Sequence, residues 1–492
     1  MTALNLPAGR DGKPRSWLMF FLRPVVLGPV TLFLLIIVAG LAYRSSRFSG
    51  IPPIDEIVNR ETEGRIEIEP DENAFTFYER AFRLIPATLD EKAIGEAVDA
   101  LDAGDVEWDA VSPAAKKGLE ECEAVLADWK FGTEFERGVQ IQPADLQFWD
   151  IIGVQESRTI SHLALLKSAQ CLHEGKPEEA WQWLRALFRF SRHLGNPGPW
   201  VTRLLGRSYH AMANEQLVAW ASHKDVTAEQ LQSALTELRE INELTAAFSA
   251  NLKAEYLTYS KFFSSPEMIR KYFRDECPLW NGPALNIPEA FHDGYLFLNA
   301  EPELCEVLLR HVFANHLSQC DLPRWERKIA GTRLLLFLPT GKEKPPLMDA
   351  GALNDVLMRS IMAQHHFPMS FKLLEIIDRE QARQTAYELC LTVELFRRQH
   401  GEYPESLEAL VPEFLDQVPR DQFGSKPTER MLMIRREPKV QEESPKENAR
   451  HSLPGLIIYS RGTNETDDNG YFGNLIEDIG IRIPIGSASN LN

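Results

Sequence analysis

Positive charge is in short supply: 53 lysine and arginine residues face 71 aspartate and glutamate residues, a formal net charge of −18. No basic stripe interleaved with aromatics interrupts that acidic background, which repels phosphate backbones and excludes nucleic acid as a partner. Cysteine is equally sparse. The six residues (Cys122, Cys171, Cys277, Cys305, Cys320 and Cys390) are scattered and form no Cys-x-x-Cys pair, so neither a zinc knuckle nor a thioredoxin-like site is encoded. They read as buried small apolar residues, although an exported location would permit a disulfide, with Cys305 and Cys320 the nearest pair. Catalytic signatures are missing as well: there is no G-x-S-x-G elbow and no phosphate-binding loop. His173-Glu174 lacks the second histidine of H-E-x-x-H. His365-His366 are neighbours that diverge on a helix, with no carboxylate at the i+4 spacing of a zinc motif. Trp181 and Trp183 on an amphipathic helix read as core. No residue is assigned a catalytic role, and the sequence leans away from an enzyme without closing that alternative.

What the chain does have is one long uncharged run. From Pro24 to Tyr43 no residue is charged, about the length that crosses a bilayer's hydrocarbon as a helix. Trp17 and Tyr43 at its two ends suit the headgroup layer, as do Arg23, Arg44 and Arg47. Arg10, Lys13, Arg15 and Arg23 precede the run, whereas only Arg44 and Arg47 follow before Asp55 and Glu56. The positive-inside bias therefore predicts a cytoplasmic N-terminus and a single-pass protein of the inner (cytoplasmic) membrane, its bulk on the periplasmic side. Gly40-Leu41-Ala42 offers the small residues of a signal-peptidase site, but the apolar run exceeds an ordinary signal-peptide core of about 7–15 residues, which favours an uncleaved anchor.

At 492 residues the chain exceeds one ordinary core. The expected organisation is an N-terminal segment (1–23), a transmembrane helix (24–43), a proline-bearing linker (44–72), a helical domain (73–368) and a long helix with a small sheet (369–492). The fold class is thus mainly α, an irregular multi-helix body with a small C-terminal α+β unit. Phe75, Tyr78, Phe82 and Ile85 mark one helix face. A helix from Gln155 to Glu174 stops at Gly175, and Pro177 opens the next, which predicts a helix hairpin. Thr227 to Gln230 fits a capping box, and Glu301 to Ser318 continues the helical pattern. The last long helix is expected from about Ser370 to His400, ending at Gly401. Strands are expected at Met431–Ile434, Leu456–Tyr459 and Ile479–Ile485, with a polar hairpin loop over Arg436–Ser452.

The run Phe396-Arg-Arg-Gln-His-Gly401-Glu-Tyr403-Pro404-Glu-Ser-Leu407, followed by Val418-Pro419-Arg-Asp421-Gln422-Phe423-Gly424 and Tyr459-Ser460-Arg-Gly462, resembles the C-terminal domain of the type II secretion major pseudopilin. In that family a long helix ends in a Gly-x-Tyr-Pro turn, and a small antiparallel sheet carries a Tyr-Ser-x-Gly strand end. The resemblance covers roughly residues 380–492. It departs from the family at Gln422, where proline is usual, and at the N-terminus, which lacks the prepilin leader. The whole chain looks like a large membrane-anchored bacterial protein with this type of ending. The resemblance implies calcium in the final loop, held here by Asn464, Asp467, Asp468 and Asp478. The residues alone support that only in part: the loop offers hard oxygen donors, but it is not an EF-hand, because Ile476 stands where the bidentate glutamate would fall, and a polar turn is the simpler reading. The expected function is that of a membrane-anchored envelope protein. It contacts lipid through residues 24–43 and protein partners through its body, in secretion or cell-surface organisation. The alternative is an extracytoplasmic enzyme or solute-binding protein with a cleft in the helical region.

Overall fold

The computed structural model describes residues 24–103, 107–147, 153–195, 198–275, 289–344, 346–436, 455–471 and 478–484. Two compact units emerge: Met1–Ile54, Phe263–Leu308 and Asp355–His365 form one, and Asp55–Phe262, Leu309–Asn354 and His366–Asn492 the other.

Helix α1 (Pro24–Ser46) contains the apolar run, and its stretch Gly28–Ser46 is long and apolar enough to cross a membrane, with none of it buried. The proline-bearing segment after it does not hang free. Arg60 donates to the carbonyls of Ala144 and Leu257, and Gln142 exchanges hydrogen bonds with the backbone of Ile66. These contacts tie the segment onto the second unit.

That unit is built from helix hairpins: α2 (Ala74–Leu84), α3 (Glu91–Ala103), α4 (Pro113–Glu121), α5 (Glu123–Gly132), α6 (Val154–His173), α7 (Pro177–Leu194), α8 (Trp200–Ser222), α9 (Ala228–Glu243) and α10 (Phe248–Phe263). Gly175 adopts φ +73°, where a side chain would be strained, and Pro177 sits in the first turn of α7, where its missing N–H costs nothing. This is the hairpin expected from the sequence. Thr227 and Gln230 cap α9 reciprocally. Phe75 and Tyr78 are buried, with Phe82 and Ile85 packed against the same core.

In the first unit, α11 (Pro266–Asp275) and α12 (Glu289–Asn299) follow. Then come α13 (Glu301–Leu317), α14 (Ala350–Leu357) and the 40-residue α15 (Ile361–His400), the residues of each being divided between the two units. Helix α15 begins well before the expected Ser370. Its start is fixed by Glu301, whose carboxylate accepts from Ser360 Oγ at 2.7 Å and Ile361 N at 3.0 Å, a cap supplied from sixty residues away. Gly401, at φ +80°, ends the helix, its N–H donating to Arg397 O.

Strands β1 (Leu432–Arg436), β2 (Gly455–Ser460) and β3 (Ile479–Pro484) form an antiparallel sheet in the order β1-β2-β3. Leu456, Ile458, Ile481 and Ile483 join the same core as Trp181, Trp220 and Leu391, so the sheet and the helical hairpins share one hydrophobic interior. Asp421 fastens the sheet to the preceding turn: its buried carboxylate accepts from Ser460 Oγ at 2.5 Å, Phe423 N at 2.9 Å, Arg461 Nη1 at 3.0 Å and Arg461 N at 3.1 Å. The Gly-x-Tyr-Pro turn is held similarly, by Tyr403 OH donating to the fully buried Glu394 at 2.8 Å.

The five described cysteines are free and buried. The nearest pair in sequence is too far apart for a disulfide: Cys305 lies early in α13 and Cys320 beyond its end, and a helix rising about 1.5 Å per residue holds their Cα atoms outside disulfide range. The N-terminal basic residues up to Arg23, Cys277, most of the Arg436–Ser452 loop and the side chains of His365 and His366 lie outside the described residues.

Candidate functional site

The final loop gathers the acidic residues singled out by sequence. Asp467 accepts from Tyr459 OH at 3.0 Å and from Asn469 N at 2.9 Å. Asn464 donates through Nδ2 to Asp468 at 2.8 Å. Asp478 is 2% exposed, and one of its oxygens accepts from Gly470 N at 2.7 Å while Oδ1 has no hydrogen-bond partner among the described residues. Burial, reinforced by the charges of Asp468 and Asp467 and opposed by backbone donors, pushes its carboxyl up to about 6. Among the described residues no three histidine, cysteine, aspartate or glutamate side chains are grouped to hold a metal ion. The turn reading therefore accounts for most of the loop's bonds, and Asp478 Oδ1 is the oxygen it leaves over.

A second polar constellation lies in the helical body, and sequence reasoning missed it. Arg192, in the last turn of α7, is buried, and a guanidinium cannot be deprotonated to escape the desolvation cost, so it must be paired. It is paired three ways. Nη1 donates to Glu380 Oε1 at 3.0 Å, and Nη2 donates to Asn242 Oδ1 at 2.7 Å and to His210 Nε2 at 3.0 Å. Because guanidinium only donates, His210 must accept through Nε2 and carry its proton on Nδ1. Burial, together with the charges of Arg192 and Arg207, holds this imidazole neutral, its pKa well below the usual value.

Glu380, Gln384 and Glu388 recur every four residues along α15 and so share a face. Gln384 donates to Glu380 Oε1 at 3.1 Å, and Glu388 accepts from Asn242 Nδ2 at 2.8 Å. The four-residue spacing is the signal the sequence offered. Nothing in the sequence announced that Arg192 would reach it, 188 positions away.

Above this network opens a cleft of about 560 Å³ between the end of α9, the loop after α13 and the face of α15. At its floor, sharing Arg203, Thr245, Ala246 and Glu380 with it, is a recess of about 10 Å³, room for one water-sized group. Three guanidiniums line that recess, Arg192, Arg203 and Arg207, against the single carboxylate of Glu380. Arg203 is fixed by Nη1 donating to Asn251 Oδ1 and Ala246 O, both at 2.9 Å. Burial draws the pKa values of all three guanidiniums down. No family model, curated protein or solved structure matches the chain or offers a template for this geometry. The outer wall is acidic and aromatic, with Glu243, Asp321 and Glu388 beside Trp325 and the Asp378-paired Arg327. Cys320 also lines the cleft, but burial raises its thiol far above the range of a nucleophile. The arrangement is suited to holding a ligand's charged groups.

Trp181 is core: its ring packs 5.2 Å from that of Trp220. Trp183 is partly buried and carries Lys130 Nζ 4.4 Å over its ring.

Proposed function

We propose that the chain is a single-pass membrane protein whose helical body binds a small zwitterionic solute in the α15 cleft. The observation that carries this reading is the convergence of Arg192, Arg203 and Arg207 on one carboxylate at the floor of a roomy cleft. Such a floor takes an anionic group, because three fixed cations exceed the single internal anion. The acidic wall of Glu243 and Glu388 selects a ligand that also bears an ammonium group. The test is calorimetric titration of the detergent-solubilised full chain with free amino acids and with their des-amino acids. Saturable binding of an amino acid, weakened at least tenfold by Arg207→Gln, is the expected result. Heats that Arg207→Gln leaves unchanged refute the reading.

In this proposal the N-terminus is cytoplasmic and the body extracytoplasmic, at a bacterial inner membrane, as the basic residues before α1 suggest. Activity of a C-terminal reporter that works only in the cytoplasm would reverse that topology.

A second reading concerns the C-terminal region, which we propose to be pseudopilin-like and to serve protein contacts in secretion or surface assembly. It is supported by the order of the Gly401-Glu-Tyr403-Pro404 turn, the sheet and the acidic loop. The unpartnered Asp478 oxygen beside Asp467 and Asp468 favours one Ca²⁺ there. Binding of the ion by the folded state alone would stabilise it by roughly 2.7 kcal/mol at a hundred times the dissociation constant. Asp467→Ala should abolish that gain. Equal melting of the full chain in calcium and in chelator leaves the loop as a hydrogen-bonded turn.

A further inference from the structure

Helix α1 is exposed along nearly all of its length, with Leu32 to Ile36 each more than half exposed. From Gly28 to Ser46 the exceptions are Gly40 and Arg44, one turn apart on the same face and partly covered. Helix α12, within the same unit, is what covers them. A Cβ on Gly40 would stand 3.2 Å from Leu298 Cδ2, so the missing side chain is what admits Leu298. Tyr43 OH donates to Asn299 Oδ1 at 3.1 Å. Arg44 donates to Phe297 O, lies over the Phe297 ring at 4.6 Å and pairs with Glu303 at 2.6 Å.

These contacts fix the depth of the α12 tip. Roughly twenty residues cross the hydrocarbon of a bilayer, which sets its edge near Tyr43. Gly40 lies three residues further in, about 4.5 Å at the helical rise of 1.5 Å per residue. Leu298 touches Gly40 and therefore sits at that depth. Phe297 and Leu298 are 52% and 42% exposed, large apolar side chains turned away from the protein interior. Somewhat more than one turn before that tip α12 is polar, with Asp293 paired to Arg270 at 3.1 Å and both exposed. The C-terminal tip of a short helix is thus apolar at the level of the acyl boundary, and its middle carries a charge.

We infer that the tip of α12, Phe297 and Leu298, is embedded in the lipid beside α1 and forms a second membrane contact at the foot of the span. Arg44 bridges the two helices by donating to the Phe297 carbonyl and offers its charge to the headgroup layer. The inference rests on α1 spanning the bilayer.

The experiment uses the full chain in phosphatidylcholine vesicles with p-benzoylphenylalanine placed singly at Ile36, Asp293 or Leu298, followed by irradiation and mass spectrometry of the adducts. Lipid adducts at 36 and 298, with at least tenfold fewer at 293, are expected. Adducts at 36 but not at 298 overturn the inference while leaving the span intact. An absence at both 36 and 298 removes the span as well. Equal labelling at 293 and 298, or cross-linking of 298 to a second copy of the chain, also overturns it.

Discussion

Replacing Glu380 by glutamine keeps the shape of the side chain and removes the one charge that balances Arg192. The two side chains are 4% and 7% exposed, so water cannot take over the role of the lost carboxylate. Breaking a buried ion pair from one side costs about 3–5 kcal/mol, chiefly the penalty of an uncompensated buried charge. Arg192→Met should cost a similar amount, because Glu380 then loses its direct ion-pair partner and retains Gln384 alone as a close hydrogen-bond donor, with Arg203 and Arg207 facing it only across the recess. The double variant, Arg192→Met with Glu380→Gln, removes both charges and should lie within about 2 kcal/mol of the parent, since apolar replacement of a buried pair is often neutral. The single costs would sum to about 6–10 kcal/mol, so the expected coupling is large, about 4–10 kcal/mol, and opposite in sign to simple addition. Urea unfolding of the detergent-solubilised chain, followed by tryptophan fluorescence, measures it, because Trp181 and Trp220 report on the same core. Single variants that each cost under about 1 kcal/mol and add in the double would show that the pair is solvated, and the account of the cleft floor would fall.

Glu255 is buried against Trp200, whose Nε1 donates to it at 2.7 Å, and burial pushes its carboxyl up to about 8. Its folded pKa is raised, so its contribution is fully present below pH 4.5 and lost as pH rises towards 8, by roughly 1.4 kcal/mol per unit. Glu255→Gln should remove that slope, and a parent-minus-variant stability that stays flat from pH 5 to 8 refutes the assignment. Gly206→Ala should destabilise by about 1–3 kcal/mol despite alanine's helix preference, because its Cβ would overlap Ser191 O across the α7–α8 contact. A rise in melting temperature would contradict that. Asp421→Ala strands the donors of Phe423, Ser460 and Arg461 and should cost about 3–5 kcal/mol, against about 1 kcal/mol for Ser460→Ala. Similar losses from the two would show that the hydroxyl, not the carboxylate, holds the strand end.

Local chemistry was readable wherever the deciding residues are neighbours in sequence. Gly175 and Pro177 mark a hairpin by their own backbone restrictions, Thr227 and Gln230 cap a helix from within one turn, and the alternation around Ile458 and Ile481 places strands close to their observed ends. Features decided by distant partners were not readable. The start of α15 depends on Glu301, and no pattern around Ile361 records that carboxylate. The segment after α1 resembles a linker in composition, yet Arg60 and Glu63 fix it through Leu257 and Lys253. The cleft floor is illegible for the same reason: Arg192 reads as an ordinary basic residue at a helix C-terminus until Glu380 is brought against it.

The separation of that pair also orders events during synthesis. Arg192 leaves the ribosome 188 residues before Glu380, an interval of roughly 10–40 s at ordinary elongation rates of about 5–20 residues per second. Throughout that time a permanent cation stands on the face of α7 with no Glu380 to meet it, and burying it alone costs about 3–5 kcal/mol. The early hairpins can form, but this seam must stay wet until α15 arrives. Completion of the core is in this way reserved for chains translated beyond the long helix, and a truncated product is left with its own interior held open.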